Sequence, residues 1–367
     1  MAHAWQNNSF ARRIEITVPA PDANVTQFPS PMILDGLGIT DAEIVDGEWA
    51  FYDHDDALLH DLGYGWEKET FVQGAGPATT TGVIWFAVDL VNGPAGEENH
   101  VWFYYNKTAG ATPDNHTTEA WDPNYVGVYH MGDAGPGAAD STSNGNDLAE
   151  GNAPTYGQTG QVGACMLFDD ASTEYLHKAA WSGVTGTAFT ITGWMKRDTL
   201  TQNHCLASLA DVDAGYYHAL WAVDSGSASK VCARSYSASG LHDAITSTGM
   251  TVNTWHHLAA VHAAGDASRI AYLDGGNSGS DANSSQVVNI DHFTVGITAD
   301  STPAFPMSGW IDEVRISNIA RDTEWVKHEF TVVDTGLAYA AIENIPAAGG
   351  ALLLRMQTEG LYVGMPQ

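Results

Sequence analysis

The stretch SGWIDEVRISNIARDTEW, Ser308 to Trp325, decides the fold of this chain. Its first half alternates with a period of two, which is the pattern of a β-strand. A strict alternation predicts two sets of side chains on opposite sides of the strand: Trp310, Asp312, Val314 and Ile316 on one, and Ile311, Glu313, Arg315 and Ser317 on the other. In the second half Asn318 or Asp322 can cap a short helical turn. The stretch therefore predicts a core strand that exits into a short helix.

Such a strand and helix are similar to the end of a jelly-roll β-sandwich. The order and spacing of Trp, Ile-Asp-Glu-Val-Arg-Ile, Ala-Arg and Trp resemble the closing motif of laminin-G-like, concanavalin A-like lectin domains, in their bacterial and viral branch. Further pieces occur in the family's order, including FTITGWMKRD, TWHHLAAVHA and RIAYLDGG. The section 203–249 fits more loosely, and specificity is expected to differ there. The resemblance implies the fold, and only loosely a function.

The composition indicates many short strands joined by turns. The chain has 367 residues, 44% of them hydrophobic, with 38 glycines and 12 tryptophans. Its net charge is −30, so a basic footprint for nucleic acid is missing, and we expect no nucleic-acid partner. No apolar run of about 18 residues is present, so we expect no membrane span.

Residues 10–110 resemble a family of uncharacterised β-domains that precede laminin-G-like domains in bacterial, archaeal and phage surface proteins. The matching pieces are RRIEITV, TQFPSPMIL, FYDHDDALL, IWFAVDL and VWFYYNKTAG. This resemblance supplies architecture and context, since the family has no agreed activity. We therefore predict an all-β chain: two β-sandwich (jelly-roll) domains at residues 1–118 and 119–332, and a short C-terminal β appendage at 333–367.

The cysteines and paired histidines favour structural roles. Three cysteines make neither a disulfide framework nor a zinc motif, so buried free thiols are expected, with a Cys205–Cys232 bridge kept as an alternative. His256 and His257 are neighbours in a predicted strand. Their side chains should point apart and cannot share one ion.

A structural Ca²⁺ ion is what the lectin resemblance implies. Related jelly rolls hold such an ion with a carboxylate of the last strand and carbonyls near the start of the domain. The resemblance implicates Asp312, together with Asp140 or Asp169, as metal ligands. The alternative is that Asp312 hydrogen-bonds a neighbouring loop and that the other two aspartates serve turns.

Five aromatic residues in and near the variable section are candidate ligand-binding residues. Aromatic faces stack on pyranose rings, and nearby polar side chains bind hydroxyl groups. The candidates are Trp181, Tyr216, Tyr217, Trp221 and Tyr236. The alternative is that these rings pack in the core or between sheets.

Catalysis is not expected. Laminarinase-type hydrolases share the jelly roll and need two carboxylates on one side of a strand, about 5–5.5 Å apart for retaining hydrolysis. The closest text is Asp312-Glu313, and adjacent strand residues should point to opposite faces. We therefore predict a non-enzyme, with a jelly-roll glycoside hydrolase as the remote alternative.

The expected function is recognition or assembly at a surface. The N-terminus lacks the features of a signal peptide, which favours a phage virion component, in capsid decoration or tail adhesion, over a microbial cell-surface adhesin. The expected partners are a glycan or host-surface polysaccharide, and other virion or surface proteins. Homo-oligomers are a further expectation. The apolar end, residues 350–367, is the predicted docking element, unless it packs on its own domain.

Overall fold

The computed structural model describes residues 10–44, 49–55, 57–59, 64–72, 80–92, 99–107, 120–184, 188–223, 229–264, 268–283, 285, 287–299 and 301–344. Within these residues it contains 23 β-strands and one α-helix, which confirms the all-β prediction. No helix in this part of the chain has the length and apolar character needed to cross a membrane.

The elements follow one another in this order: β1 Phe10–Thr17, β2 Val25–Ile33, β3 Ala50–Tyr52, β4 Trp66–Val72, β5 Thr81–Leu90, β6 His100–Lys107, β7 Tyr125–Tyr129, β8 Ala149–Glu150, β9 Thr155–Thr159, β10 Ala164–Phe168, β11 Leu176–Ala179, β12 Phe189–Arg197, β13 His204–Asp211, β14 Tyr216–Val223, β15 Lys230–Ser237, β16 Gly240–Gly249, β17 His256–His262, β18 Arg269–Leu273, β19 Asn277–Asp281, β20 His292–Val295, β21 Gly309–Ser317, α1 Thr323–Asp334, β22 Ala338–Tyr339 and β23 Glu343–Asn344.

The N-terminal domain is a small sandwich of two antiparallel sheets. One sheet has the order β22-β1-β6-β3, with β23 also paired to β1, and the other has the order β2-β5-β4. Aromatic and aliphatic side chains of both sheets fill the space between them, among them Phe28, Phe86 and Phe103, each with no measurable exposure. The strand-like runs of the sequence therefore become a sandwich because each sheet has one apolar side to bury.

The lectin-like domain is a larger sandwich. Its eight-stranded sheet has the order β19-β18-β17-β12-β21-β10-β9, with β7 paired to β21, and its seven-stranded sheet has the order β16-β15-β14-β13-β20-β11-β8. The inner sides of the two sheets form one core cluster that includes Leu206, Leu220, Phe293 and Ile311. This is the jelly-roll arrangement expected from the closing motif.

Strand β21 departs from the predicted alternation at Glu313. This residue has φ of 50°, and the pairing of β21 with β12 shifts register between Thr192 and Trp194. The extra residue is a β-bulge, which interrupts the two-residue period. As a result Ile311 and Val314 both lie in the core, and the predicted two sides of the strand are wrong.

Helix α1 covers part of the outer face of the eight-stranded sheet. The side chain of Asp322 accepts a hydrogen bond from the backbone N–H of Trp325 at 2.7 Å, so Asp322 is the N-cap that the sequence offered as one of two choices. Val326 packs against Ala259 and Tyr272 of that face. The ring of Phe330 stacks on Trp194 with centroids 5.8 Å apart.

The N-terminal domain covers a further part of this outer face, and the two domains share one apolar cluster. The ring of Phe28 lies 5.0 Å from that of Trp325, and Trp85 lies 5.5 Å from Trp121, centroid to centroid. The domains are therefore packed together rather than joined only by a linker.

The C-terminal segment returns to the N-terminal domain. Strands β22 and β23 both pair with β1, and the hydroxyl of Tyr339 accepts a hydrogen bond from the backbone N–H of Ile33 at 2.8 Å. Arg13 also donates to Glu343 at 2.7 Å. The predicted appendage thus begins as part of the first sheet, while the apolar end at 350–367 lies outside the described residues.

The cysteines and the paired histidines have the predicted structural roles. All three cysteines are buried free thiols, and Cys205 and Cys232 are not bridged. His256 contacts Asp274 through Nδ1 at 2.8 Å, whereas His257 is buried beside Glu329 and Trp194. The two imidazoles therefore point to different partners.

Candidate functional site

The two sheets of the lectin-like domain have different outer faces. Helix α1 and the N-terminal domain cover that of the eight-stranded sheet. On the seven-stranded sheet, the strands β14, β15 and β16 form an outer face on which Tyr236, Leu241 and Ile245 reach solvent while Tyr217 is buried. We call this surface the open face and define it by six residues: Tyr217, Arg234, Tyr236, Leu241, Asp243 and Ile245.

Cross-strand pairing arranges the open face in rows. Tyr217 pairs with Tyr236, which pairs with Leu241 in the next strand. Arg234 pairs with Asp243 in the row beside it. Side chains directly opposite on antiparallel strands share a face, so both rows present their side chains outward together. Tyr236 is 39% exposed and Leu241 49% exposed, which leaves apolar surface in contact with water.

An ion pair lies in the middle of the open face. Arg234 donates from Nε and Nη2 to the two carboxylate oxygens of Asp243, each at 2.6 Å. The guanidinium carbon also lies 4.0 Å from the centre of the Trp221 ring. A bidentate pair stacked on an aromatic ring is held in a fixed geometry. Both side chains remain partly exposed, so they can hydrogen-bond a ligand.

The stretches 297–299 and 301–305 lie against the same sheet at β13. The backbone N–H of Ala299 contacts the hydroxyl of Ser208, and the N–H of Cys205 donates to the carbonyl of Phe305 at 3.0 Å. On the far side of these stretches from the open face is a groove of about 290 Å³. Its lining includes Tyr175, His177, His292, Thr298 and Ser301. This side groove combines rings with hydroxyl groups.

The structure separates the five aromatic candidates. Tyr217 and Tyr236 lie on the open face, and Tyr216 joins them with its ring 5.8 Å from that of Tyr236. Trp181 is packed in the core against Phe293, and Trp221 is fully buried under Arg234 and Phe305. Neither indole presents a free ring face, so we remove both from the candidate set.

The three predicted calcium ligands have local hydrogen-bonding roles. Asp312 Oδ2 accepts from the backbone N–H groups of Gln161 and Val162 at 2.7 and 2.9 Å. A Cβ on Gly160 would lie 2.5 Å from this oxygen, so only glycine permits the close approach. Asp312 therefore hydrogen-bonds a neighbouring loop, as the alternative interpretation of the sequence had it.

Asp140 and Asp169 organise turns. Asp140 accepts from the backbone N–H groups of Val128, Thr142 and Asn146, and Asp169 accepts from that of Ala171. In the part of the chain that the structure describes, these two carboxylates and Asp312 do not gather into one group. Calcium binding itself stays a prediction.

A second polar site lies at the junction of the two domains. Single ligand atoms of Glu69, His130 and Glu313 lie within 4.8 Å of one another, and we call these residues the junction cluster. Nδ1 of His130 is 2.7 Å from Glu313 Oε1 and 3.5 Å from Glu69 Oε2. All three residues are buried. Glu69 belongs to the N-terminal domain, whereas His130 and Glu313 belong to the lectin-like domain.

Burial and mutual charge displace the pKa values of this cluster in opposite directions. Burial, followed by the charge of Glu313, raises the pKa of Glu69 well above its usual range. Burial opposes protonation of His130, but the carboxylates of Glu313 and Glu69 outweigh it and raise the pKa. Burial would also raise the pKa of Glu313, yet His130 and Arg315 lower it.

The bulge at Glu313 overturns one premise of the sequence analysis. Asp312 and Glu313 were expected on opposite faces of β21, but neither side chain belongs to the core between the two sheets. Burial, followed by the charge of Glu313, raises the pKa of Asp312. A cavity of about 230 Å³ borders the junction cluster. Its lining includes the charged residues Glu67, Lys68 and Asp133, so it suits an ion or water better than the apolar face of a sugar ring.

Sequence reasoning missed Glu69 and His130. Glu67 and Glu69 alternate along WEKETF, which places them on one side of β4, and His130 directly follows β7. Those patterns predict a polar strand face and a strand end. The meeting of the two across 61 positions of sequence, from 69 to 130, depends on how the domains pack.

Residues 169–327 match the family model described as "Concanavalin A-like lectin/glucanases superfamily", and this part of the chain is a domain of that superfamily. Domain 4 of AbnA, a GH43 extracellular arabinanase from Geobacillus stearothermophilus, solved in complex with arabinotriose, is similar at 20% identity over 56% of this chain and 97% of that one, with a TM-score of 0.43.

Two toxin binding domains are also similar in fold. The binding domain of Paraclostridial Mosquitocidal Protein 1 matches at 16% identity over 57% of this chain and 52% of its own length, with a TM-score of 0.42. The receptor binding domain of botulinum neurotoxin mosaic serotype C/D matches at 11% identity over 56% and 50%, with a TM-score of 0.43. The match thus spans about half the length of these toxin domains. No curated protein matches the sequence.

Proposed function

We propose that this protein is a non-catalytic surface-recognition protein that binds a glycan on the open face of its lectin-like domain. The observation that carries the proposal is the difference between the two outer faces of the sandwich. One is covered in part by α1 and the N-terminal domain. The other keeps Tyr236, Leu241 and Ile245 at 39%, 49% and 38% exposure around an ion pair.

The chemistry of the open face suits a hydroxyl-rich ligand. The Tyr236 ring offers an apolar surface for one side of a pyranose, and the nearby Asp243 carboxylate can accept hydrogen bonds from sugar hydroxyls. The centre of a protein interface is enriched in Tyr and Arg but depleted of Asp, so Asp243 is the residue here that fits a protein partner poorly. Here the Arg234–Asp243 pair occupies the middle of the surface, which favours the glycan.

The side groove extends the proposed site. It lies on the other side of β13 from the open face and is lined by Tyr175, His177 and His292. Strand β20 under the groove and strand β15 of Tyr236 are three strand spacings apart, about 14 Å, so a glycan of several units can reach both. The proposed ligand class is therefore an oligosaccharide or a host-surface polysaccharide.

The test is affinity electrophoresis of the purified chain in laminarin, agarose, carrageenan and peptidoglycan fragments, followed by titration of the glycan that retards it most. Tyr236→Ala should weaken that affinity about tenfold, since aromatic contacts contribute about 0.5–1.5 kcal/mol beyond area burial. Asp243→Asn should weaken it as well.

Val252→Ala is the matched control, because Val252 is an exposed apolar residue, 42% exposed, in the connection between β16 and β17. Its affinity should equal that of the native chain. Native affinity in Tyr236→Ala and Asp243→Asn would place the ligand elsewhere. Release of reducing sugar that Glu313→Gln abolishes would contradict the non-catalytic part of the proposal.

The proposal includes a location on a phage virion, in capsid decoration or tail adhesion, with a microbial surface adhesin as the alternative. It is supported by the resemblance of the domain pair to those of phage and microbial surface proteins. Because β22 and β23 belong to the N-terminal sheet, the informative truncation ends after Asn344. We expect it to stay folded but no longer join the particle. Normal incorporation of this truncated chain would remove the tail as docking element.

A further inference from the structure

We propose that Glu69, His130 and Glu313 bind a divalent transition-metal ion, of the zinc class, at the junction of the two domains. The N-terminal domain supplies one ligand and the lectin-like domain supplies two. The proposed site is buried and lies on the other side of the lectin-like domain from the open face. The inference does not depend on glycan binding.

The ligand types and their spacing carry the proposal. Zn²⁺ accepts imidazole nitrogen and carboxylate oxygen at about 2.0–2.2 Å, so the ligand atoms around it lie roughly 3–3.5 Å apart. Nδ1 of His130 is 2.7 Å from Glu313 Oε1 and 3.5 Å from Glu69 Oε2. Small side-chain adjustments therefore suffice to place one ion among the three atoms.

Two of the proposed ligands are oriented by hydrogen bonds from groups behind them. Trp85 Nε1 donates to Glu69 Oε2 at 2.9 Å, and Arg315 Nη2 donates to Glu313 Oε2 at 2.6 Å. Such outer partners fix the direction of a ligand before the ion arrives. The pair Trp85 and Arg315 is itself stacked, with the guanidinium carbon 4.6 Å from the ring centre.

A buried carboxylate oxygen without a hydrogen-bond partner gives a second indication of an absent cation. Oδ1 of Asp312, the residue before Glu313, is buried and makes no hydrogen bond within the described residues. Nε2 of His130 faces away from Nδ1, towards Glu67 Oε2 at 3.5 Å, and takes no part in the proposed site. Buried carboxylates destabilise the fold when they outnumber the cations beside them. A bound divalent cation would offset this excess of negative charge.

The cavity beside the cluster provides the remaining coordination position. Its volume is about 230 Å³, and Gly132, Asp133 and Ser141 are among the lining residues. A water molecule in this space can complete a four-coordinate site, as in zinc sites with three protein ligands. The imidazole ligand favours the zinc class over Ca²⁺, which prefers oxygen alone.

The test uses the full chain, stripped of metal with a chelator, and ZnCl₂ as the probe in isothermal titration calorimetry. We expect one ion per chain. Glu69→Gln should weaken binding more than about 100-fold, because even the loss of an outer partner costs 10–100-fold. His130→Gln should have a similar effect. His100→Gln is the matched control, since His100 forms a similar but more exposed pair with Glu15, Nδ1 to Oε1 2.6 Å, and should leave binding unchanged.

A native-state measurement avoids dependence on the folding of the variants. One equivalent of Zn²⁺ should shift the imidazole NMR signals of His130 and leave those of His100 in place. The absence of a stoichiometric site, or binding that Glu69→Gln leaves intact, would overturn the proposal. So would an unshifted His130 signal at saturation, because the ion would then be bound elsewhere on the chain.

Discussion

The two outer faces of the lectin-like sandwich are built from the same kind of antiparallel strands but meet different surroundings. The face of the eight-stranded sheet lies under α1 and the N-terminal domain, with Trp194 and Tyr272 buried. The face of the seven-stranded sheet keeps Tyr236 and Leu241 in solvent. The comparison teaches that the fold supplies two similar surfaces, and that the packing of the rest of the chain decides which one remains available.

Each face carries an arginine stacked on tryptophan and paired with carboxylates. Arg315 is 2% exposed, lies over Trp85 and donates to both Glu313 and Glu329. Arg234 pairs with Asp243, and both side chains remain partly exposed. The same chemical arrangement should therefore contribute less on the open face, where the side chains of the pair are 16% and 19% exposed, than on the covered face.

The largest expected effect is the removal of the buried guanidinium. Arg315→Leu leaves Glu313 and Glu329 buried without their cation, and should lower the free energy of unfolding by about 3–5 kcal/mol. Arg234→Leu on the open face should cost less, about 1.5–3 kcal/mol, because the Asp243 carboxylate it leaves behind keeps some access to water. Urea denaturation of both variants measures the difference, and equal losses would contradict the comparison.

The next effect concerns aromatic packing. Trp325 is 7% exposed and packs against Phe28 and Tyr125, so Trp325→Ala should destabilise the chain by about 3–5 kcal/mol. Tyr236→Ala is the counterpart on the open face and should cost about 1 kcal/mol or less. Thermal unfolding of the pair gives the answer. A large loss for Tyr236→Ala would show that the open face supports the fold instead of a ligand.

A third prediction concerns the pH dependence of stability that a histidine on the covered face contributes. Burial, followed by the charge of Lys327, lowers the pKa of His328 on α1 to about 4. The unfolded state binds this proton near pH 6.5 and the folded state only near pH 4. Stability from this group is therefore complete above about pH 6.5 and is lost as the pH falls, by about 3 kcal/mol at pH 4.

His328→Leu removes the titration while keeping an apolar side chain against Phe28. Between about pH 6.5 and 4, its free energy of unfolding should depend less steeply on pH than that of the native chain. The difference in slope corresponds to at most one proton taken up on unfolding. Urea denaturation at several pH values measures the slope. A slope equal to that of the native chain would show that His328 does not remain neutral in the fold.

The smallest expected effect is at the N-cap of the helix that covers the first face. Asp322→Ala removes the hydrogen bond to the backbone N–H of Trp325 and should cost about 1 kcal/mol. Asp322→Asn keeps an accepting oxygen and should recover most of the loss. If both variants matched the native chain in urea denaturation, the cap would not contribute to the seating of α1.

Much of the fold followed from local pattern. The alternation in β1 and the change of period after Ser317 correctly indicated strands and a capped helix, because these signals depend on residues close together in sequence. The jelly-roll sandwich was implied by the resemblance of the closing motif to lectin domains. Buried free cysteines were also predictable from their number and spacing. The open face was only partly predictable: Tyr216, Tyr217 and Tyr236 were candidates alongside two tryptophans that the structure buries.

The sequence by itself determined the strand and the following helix of the closing motif, two candidate caps at Asn318 and Asp322, and the acidic, turn-rich character of the chain. Only the tertiary structure decided that Glu313 sits in a bulge, that Glu69 meets His130, and that one outer face stays uncovered. The physical reason is range. Periodicity and capping arise from contacts within a few residues, whereas a bulge, a domain junction and solvent exposure depend on what a distant segment brings to the same place.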